Sequence, residues 1–152
     1  MKLDNIKDLE VKLNAIKAVD IMSRFAITTK EGATISNLAH LLMRFKISGV
    51  PVVNENKEII GIITATDLFR ILEKVKECIK ADSPNEFSGT IFVKDIMTKD
   101  VSTILENASL FDVIDLMCQK NIHTLPVLNA GKDIVGIIGR RDVINAFYSE
   151  AT

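Results

Sequence analysis

The chain has 152 residues, 47% of them apolar and 26% charged, and its 19 basic and 20 acidic residues leave a formal net charge of −1. That length supports one ordinary domain or two small ones, with enough apolar content for a packed core and too much for a disordered or collagen-like chain. The near-neutral charge, without a long run of one sign, excludes the electrostatic footprint of a nucleic-acid binder.

From the amino terminus, MKLDNIKDLEVKLNAIKAV alternates acids and bases through its apolar positions. This is neither a secretory core nor a membrane span, so a cytoplasmic protein is expected, without contact to membrane. TISNLAHLLMRFKI then carries Ile35, Leu38, Leu42 and Phe45 at helical spacing, with Ser36 as the expected cap. VPVVNENKEIIGIIT reads as a hairpin, two β-branched runs around an Asn-containing turn, and a helix follows from about Thr66 to Lys80. After a linker, SLFDVIDLMCQKNI repeats the helical pattern through Leu110, Val113, Leu116 and Met117, capped by Ser109 with Asp112 three residues on. LPVLNAGKDIVGIIG is a second hairpin, followed by a helix from about Arg141 to Ser149. Cys78 and Cys118, with no CxxC spacing, are expected as reduced, partly buried thiols. Met22, Met43, Met97 and Met117 occupy apolar positions and are expected to fill the core.

The two halves are one pattern written twice. Setting Pro51 against Pro126, 75 positions on, also pairs Asp20 with Asp95, Met22 with Met97, Gly61 with Gly136 and Asp67 with Asp142, with no gap. Each half reads β-α-β-β-α. One such unit is too small to bury both its helices and its sheet, and two copies packing sheet against sheet would solve that. The helix LFRILEKVKECI keeps apolar residues in excess of this need, at Leu68, Ile71, Leu72, Val75 and Ile79, which predicts a homodimer.

Chemistry is sparse. Asp67 and Asp142 each fall in the first turn after a Gly-containing strand, where a carboxylate either caps the helix or accepts two hydrogen bonds from a vicinal diol. Both readings stand at this level. The first copy, TATD, offers hydroxyls at Thr64 and Thr66. The second, GRRD, loses the Thr at Gly139 and supplies Arg140 and Arg141, either a phosphate fork or a solvated basic patch. His123 stands beside the second hairpin as a pocket-rim or ligand-contacting side chain. No Ser-His-Asp or Cys-His arrangement, phosphate loop or metal-ligand spacing appears, so neither catalysis, a catalytic cofactor nor a metal is expected.

DIM before each half, an apolar residue and Pro opening each hairpin (GVPVVN, TLPVLN), and GII closing it three residues or so before Asp resemble the tandem cystathionine-β-synthase domain, the CBS pair or Bateman module. The resemblance covers about residues 18 to 149. It implies an α+β fold of two repeats packed sheet to sheet with pseudo-two-fold symmetry, arranged as an N-terminal helical extension (1–17), repeat 1 (18–80), a linker (81–92) and repeat 2 (93–152). It implies a regulatory module that binds an adenosyl ligand, AMP, ADP, ATP or S-adenosylmethionine, in clefts between the repeats, and that dimerises. By the family motif, Asp67 with Thr64, and Asp142, would hold ribose. Ile47, Gly49, Val50 and Pro51, with Ile122, Thr124, Leu125 and Pro126, would form the base pockets. Thr28 and Thr103 would be first-strand contacts. Positive charge from Arg140, Arg141 and nearby Arg24 or Lys99 favours adenine nucleotides over S-adenosylmethionine. The alternatives are a ligand-free dimerisation or interaction module and an S-adenosylmethionine sensor, and in the sensor reading an effector protein reads the bound state.

Overall fold

The computed structural model describes residues 5–24, 27–81 and 90–151; residues 1–4 of the expected extension and 82–89 of the expected linker lie outside the described residues. In chain order the elements are α1 (Ile6–Ala15), α2 (Ala18–Ile21), β1 (Thr29–Lys30), α3 (Ile35–Phe45), β2 (Gly49–Val53), β3 (Ile59–Thr64) and α4 (Ala65–Lys80), then α5 (Val93–Ile96), β4 (Ile104–Leu105), α6 (Leu110–Lys120), β5 (Thr124–Leu128), β6 (Ile134–Gly139) and α7 (Arg140–Ala151). Two three-stranded sheets form, β1-β2-β3 and β4-β5-β6. In each, a two-residue edge strand runs parallel to the centre strand, which pairs antiparallel with the third through the hairpin. The β-α-β-β-α reading of each half therefore holds, and α2 and α5 are added to it.

The local chemistry explains the starts and turns. Thr34, not Ser36, caps α3: Asn37 N–H donates to Thr34 Oγ1 at 3.2 Å, and Asn37 Oδ1 accepts from Thr34 N–H at 3.2 Å. A reciprocal cap needs a polar partner three residues on. Thr34 finds Asn37 there, whereas Ser36 would find Ala39. Ser109 and Asp112 make the expected box at α6, with distances of 3.1 and 3.4 Å. In both hairpins an Asn organises the turn. Asn54 Oδ1 accepts from Asn56 and Glu58 N–H at 3.0 and 2.9 Å, and Asn129 Oδ1 accepts from Asp133 N–H at 2.9 Å.

The chain divides into two compact units, Ile27–Val101 and Met1–Ala26 together with Ser102–Thr152. These are offset from the sequence repeats, because each DIM segment joins the unit built by the other half. In the Ile27–Val101 unit, Val93 N–H donates to Ala33 O at 2.7 Å, and Thr98 and Ile62 exchange both backbone hydrogen bonds at 2.8 and 2.9 Å. In the other unit, Ala18 N–H donates to Ala108 O at 2.8 Å, and Ser23 and Ile137 exchange theirs at 2.9 and 3.0 Å. The Asp of each DIM holds the start of its short helix: Asp20 Oδ2 accepts from Lys17 N–H at 2.8 Å and Asp95 Oδ2 from Phe92 N–H at 3.0 Å.

The Met of each DIM explains the strand glycines. A Cβ on Gly61 would stand 2.6 Å from Met97 Sδ, and one on Gly136 would stand 2.5 Å from Met22 Sδ and 2.8 Å from Ser23 O. The glycines let the exchanged segment lie directly on β3 and β6.

Each unit has its own core. Leu38, Leu42, Val50, Val52, Ile63 and Val93 are buried in one; Val113, Met117, Leu125, Val127, Ile138 and Ala18 take the matching places in the other. Burying a valine side chain is worth about 1.5–3 kcal/mol and a single methyl about 0.8 kcal/mol, so Val93 ties its exchanged segment to its unit, and Ala18 does so more weakly. Met43 departs from expectation: it is 79% exposed on α3, where Leu42, the counterpart of buried Met117, takes the inward place. Cys118 is likewise exposed rather than partly buried, Cys78 is half-buried, and both are free thiols.

Candidate ligand-binding site

In each unit the hairpin register gathers the sequence-predicted residues at one end of the sheet. Gly49 pairs with Thr64, Val50 with Ile63 and Pro51 with Ile62, so the start of β2 lies beside the end of β3. Ala65 N–H donates to Ser48 O at 2.9 Å, which ties the first turn of α4 to the residue before β2. In the other unit, Thr124 pairs with Gly139, Leu125 with Ile138 and Pro126 with Ile137, and Arg140 N–H donates to His123 O at 3.1 Å. Ile47 and Ile122 stand half-buried just before these strands. Thr28 and Thr103, also half-buried, immediately precede β1 and β4. Since Thr29 pairs with Val52, Thr28 lies toward the Pro51 end of its sheet.

Both aspartates are caps. Asp67 is 9% exposed, and its Oδ2 accepts from Thr64 N–H at 2.9 Å and from the Thr64 hydroxyl at 3.1 Å, while Thr64 Oγ1 accepts from Asp67 N–H at 3.4 Å. Oδ1 points away from this box, with Arg70 at 3.7 Å on a side chain that is 69% exposed, a pairing of little energetic weight. Asp142 Oδ2 accepts from Gly139 N–H at 2.7 Å. Burial raises the Asp142 carboxyl above its ordinary value, and the Gly139 hydrogen bond opposes this more weakly. One oxygen of each carboxylate satisfies the helix start, and a carboxylate has acceptor capacity beyond that. The cap and the diol contact are compatible.

The remaining candidates divide by exposure. Val50 and Leu125 are fully buried members of the two cores, and Pro51 and Pro126 are fully buried with them, so these four reach a ligand only through backbone. Thr66 and Arg141 are exposed in the first turns of α4 and α7. Arg140 is not a free surface cation: its guanidinium stands 3.2 Å from His123 Nε2. Together Arg140 and His123 form the polar wall of a cavity of about 340 Å³ whose apolar lining includes Ile114, Ile122 and Val143. Neither the sequence spacing nor the helical pattern signalled the Arg140–His123 contact, which depends on the β5–β6 register. Among the described residues no cluster of three His, Cys, Asp or Glu side chains is placed to hold a metal ion. Among them, too, no helix is long and apolar enough to cross a membrane.

The architecture is a duplicated α+β unit with a carboxylate at the last strand-to-helix turn of each copy. The CBS domain model matches residues 18–74 and 93–149, and the chain belongs to the CBS-domain family, of which it carries two copies. The chain is similar to the CBS domain pair of protein MJ0100, solved in complex with 5′-methylthioadenosine and S-adenosyl-L-methionine (TM-score 0.74, 27% identity, 88% of this chain and 97% of that one). It shares its fold with CBSX2, solved in complex with AMP (TM-score 0.69, 22% identity, 90% and 99% covered). In sequence it is 33% identical to a homoserine O-acetyltransferase of Methanosphaera stadtmanae over 89% of this chain and 25% of that protein. It is 28% identical to an inosine-5′-monophosphate dehydrogenase of Methanocaldococcus jannaschii over 92% and 25%. The chain thus spans about a quarter of the length of these two relatives.

Proposed function

We propose that this chain is a regulatory module without catalytic activity that binds an adenosyl ligand, with Asp67 and Asp142 as the ribose anchors. The observation that carries this is the doubled geometry of the two aspartates: each commits one oxygen to its helix start, at the sheet end where the hairpin strand and the first helical turn meet. The similarity to the MJ0100 pair supports the adenosyl part, since its two ligands share a 5′-thioadenosine group. Arg140 and Arg141 favour a phosphate-bearing form, AMP, ADP or ATP, through the planar donor fork of arginine. Thr28, Thr103, Ile47 and Ile122, with the backbone of Gly49, Val50, Pro51, Thr124, Leu125 and Pro126, would surround the base, and Thr64, Thr66 and His123 would complete the polar contacts. Free thiols at Cys78 and Cys118 fit a reducing cytoplasm, where an effector protein reads the bound state.

The test is calorimetry and thermal shift with AMP, ADP, ATP, adenosine, 5′-methylthioadenosine and S-adenosylmethionine. A ligand that binds only the native state raises the melting temperature by mass action. We expect the nucleotides to bind at least tenfold more tightly than adenosine. Equal binding of all six removes the phosphate argument, and silence across the panel leaves the second reading, an interaction module. That second reading is favoured by the exposed apolar side chains on the helices, among them Phe69, Ile79 and Ile144.

A further inference from the structure

The amino-terminal helix meets the second half of the chain over an unfilled space. Leu9 and Leu13 of α1, with Ile16 at its C-cap, lie at i, i+4 and i+7 and form a stripe that faces α6 and α7. Between the three helices is a cavity of about 170 Å³, floored by Leu110 and Ile114 of α6 and by Val143 and Ala146 of α7. Its walls are wholly apolar, Lys12 contributing its hydrocarbon stem. All of these residues belong to the same compact unit. The space has a source in the sequence. Ala146 stands where the other half has Ile71, which is 6% exposed, so α7 carries a methyl where α4 carries a sec-butyl group. The roof is also particular to this half: 75 positions on, Leu9 and Leu13 correspond to Pro84 and Ser88.

Water gains little in such a place, since a buried water needs several polar partners and these walls offer none. An apolar cavity of about 150 Å³ stays dry and takes up benzene or xenon. Ile144 and Phe147, 59% and 45% exposed, border the cavity and leave it an approach from solvent. A charged or hydrogen-bonding occupant would lose its own hydration without replacement. We infer that this cavity is a binding site for a small uncharged apolar group, the size of benzene or a short aliphatic chain, and that its occupant holds α1 in place. The second part follows from how α1 is attached. None of its residues is buried, and its carboxyl end is fixed by Leu110 N–H donating to Ile16 O at 2.8 Å. A helix held in this way opens locally more readily than the cores do, and an occupant touching both α1 and its floor binds only the closed form. Neither Asp67 nor Asp142 borders the cavity, so the inference stands whether or not a nucleotide binds at the aspartate turns.

The probe is benzene in a sealed cell, with hydrogen exchange of the α1 peptide read by mass spectrometry on the full chain. A ligand present at its dissociation constant halves the open population, so exchange of α1 should slow about twofold there, with a rise in melting temperature. Phenol, the same ring with a hydroxyl that finds no partner, should act several-fold more weakly. Ala146→Ile supplies the side chain of the other half, and Leu13→Phe fills the space from the α1 side; each should abolish the benzene effect. The second variant leaves α6 and α7 untouched and decides the matter if the first fails to fold. Both residues border this cavity and not the larger one beside His123, so filling separates the two. Exchange of α1 that is indifferent to benzene, a benzene effect that survives filling, or phenol acting as strongly as benzene overturns the inference.

Discussion

The turns from β3 into α4 and from β6 into α7 do the same job with different chemistry. In the first, Thr64 and Asp67 cap one another through side chain and backbone, and the Thr64 hydroxyl is itself held by the carboxylate. In the second, Gly139 has no side chain, Asp142 alone accepts the cap N–H, and Arg140 turns to His123. The difference teaches that the aspartate is the shared structural element of both copies, while the residues around it are free to specialise. A ligand at the first turn meets a closed Thr–Asp pair, and one at the second meets a more open carboxylate near two arginines.

The largest expected effect on fold stability concerns the exchanged segments that both turns sit beside. Gly136→Ala forces a Cβ to within 2.8 Å of the Ser23 carbonyl, a backbone atom, whereas Gly61→Ala meets the Thr98 carbonyl at 3.1 Å. In both cases the flexible Met side chain also has to move. Overpacking of this kind costs about 1–3 kcal/mol, and Gly136→Ala should lie at the upper end and Gly61→Ala at the lower, read from urea midpoints at constant slope. A reversed order would mean that the Met22 segment is held less tightly than its hydrogen bonds indicate.

Next come the ligand anchors. Asp67→Ala and Asp142→Ala should remove different binding events rather than halve one, each weakening its own event by about 1.5–3 kcal/mol, roughly ten- to a hundredfold. Titration calorimetry separates them; identical residual binding in both variants, or full binding in either, reassigns the ribose contacts. Smaller again is the cap itself. Thr64→Ala removes the hydroxyl that accepts from Asp67 N–H, for a loss of about 1 kcal/mol, and urea unfolding should show it as a lower midpoint at unchanged slope.

The smallest effect is a pH dependence at the second turn. Burial raises the folded-state pKa of Asp142. A group of this kind contributes its stability fully below its unfolded pKa, and that contribution is lost as pH rises through the folded value. Asp142→Asn keeps an oxygen for Gly139 N–H and discards the charge. Its stability relative to the unmodified protein should therefore rise, by a few tenths of a kcal/mol for a half-exposed group, as pH climbs from about 3 toward neutrality. A flat difference across that range would show that the carboxylate is as well solvated in the folded protein as in the unfolded chain.

The sequence by itself determined the duplication, the β-α-β-β-α elements of each half and the family, because these rest on short-range physics: period 3.6 in Leu38–Leu42 and Val113–Met117, Asn-centred turns, and a carboxylate three residues past the last strand of each half. It also placed Asp67 and Asp142 in first helical turns, and left open whether they cap or bind. Only the tertiary structure decided that they cap, since that depends on where Oδ2 points. It also decided that Val50 and Leu125 belong to the cores, that Arg140 engages His123 across the β5–β6 register, and that Met43 stands in solvent. The exchange of the DIM segments was out of reach for the same reason. Gly61 and Met97, like Gly136 and Met22, are far apart in the chain, and a repeat offset aligns equivalent residues without showing which of them touch.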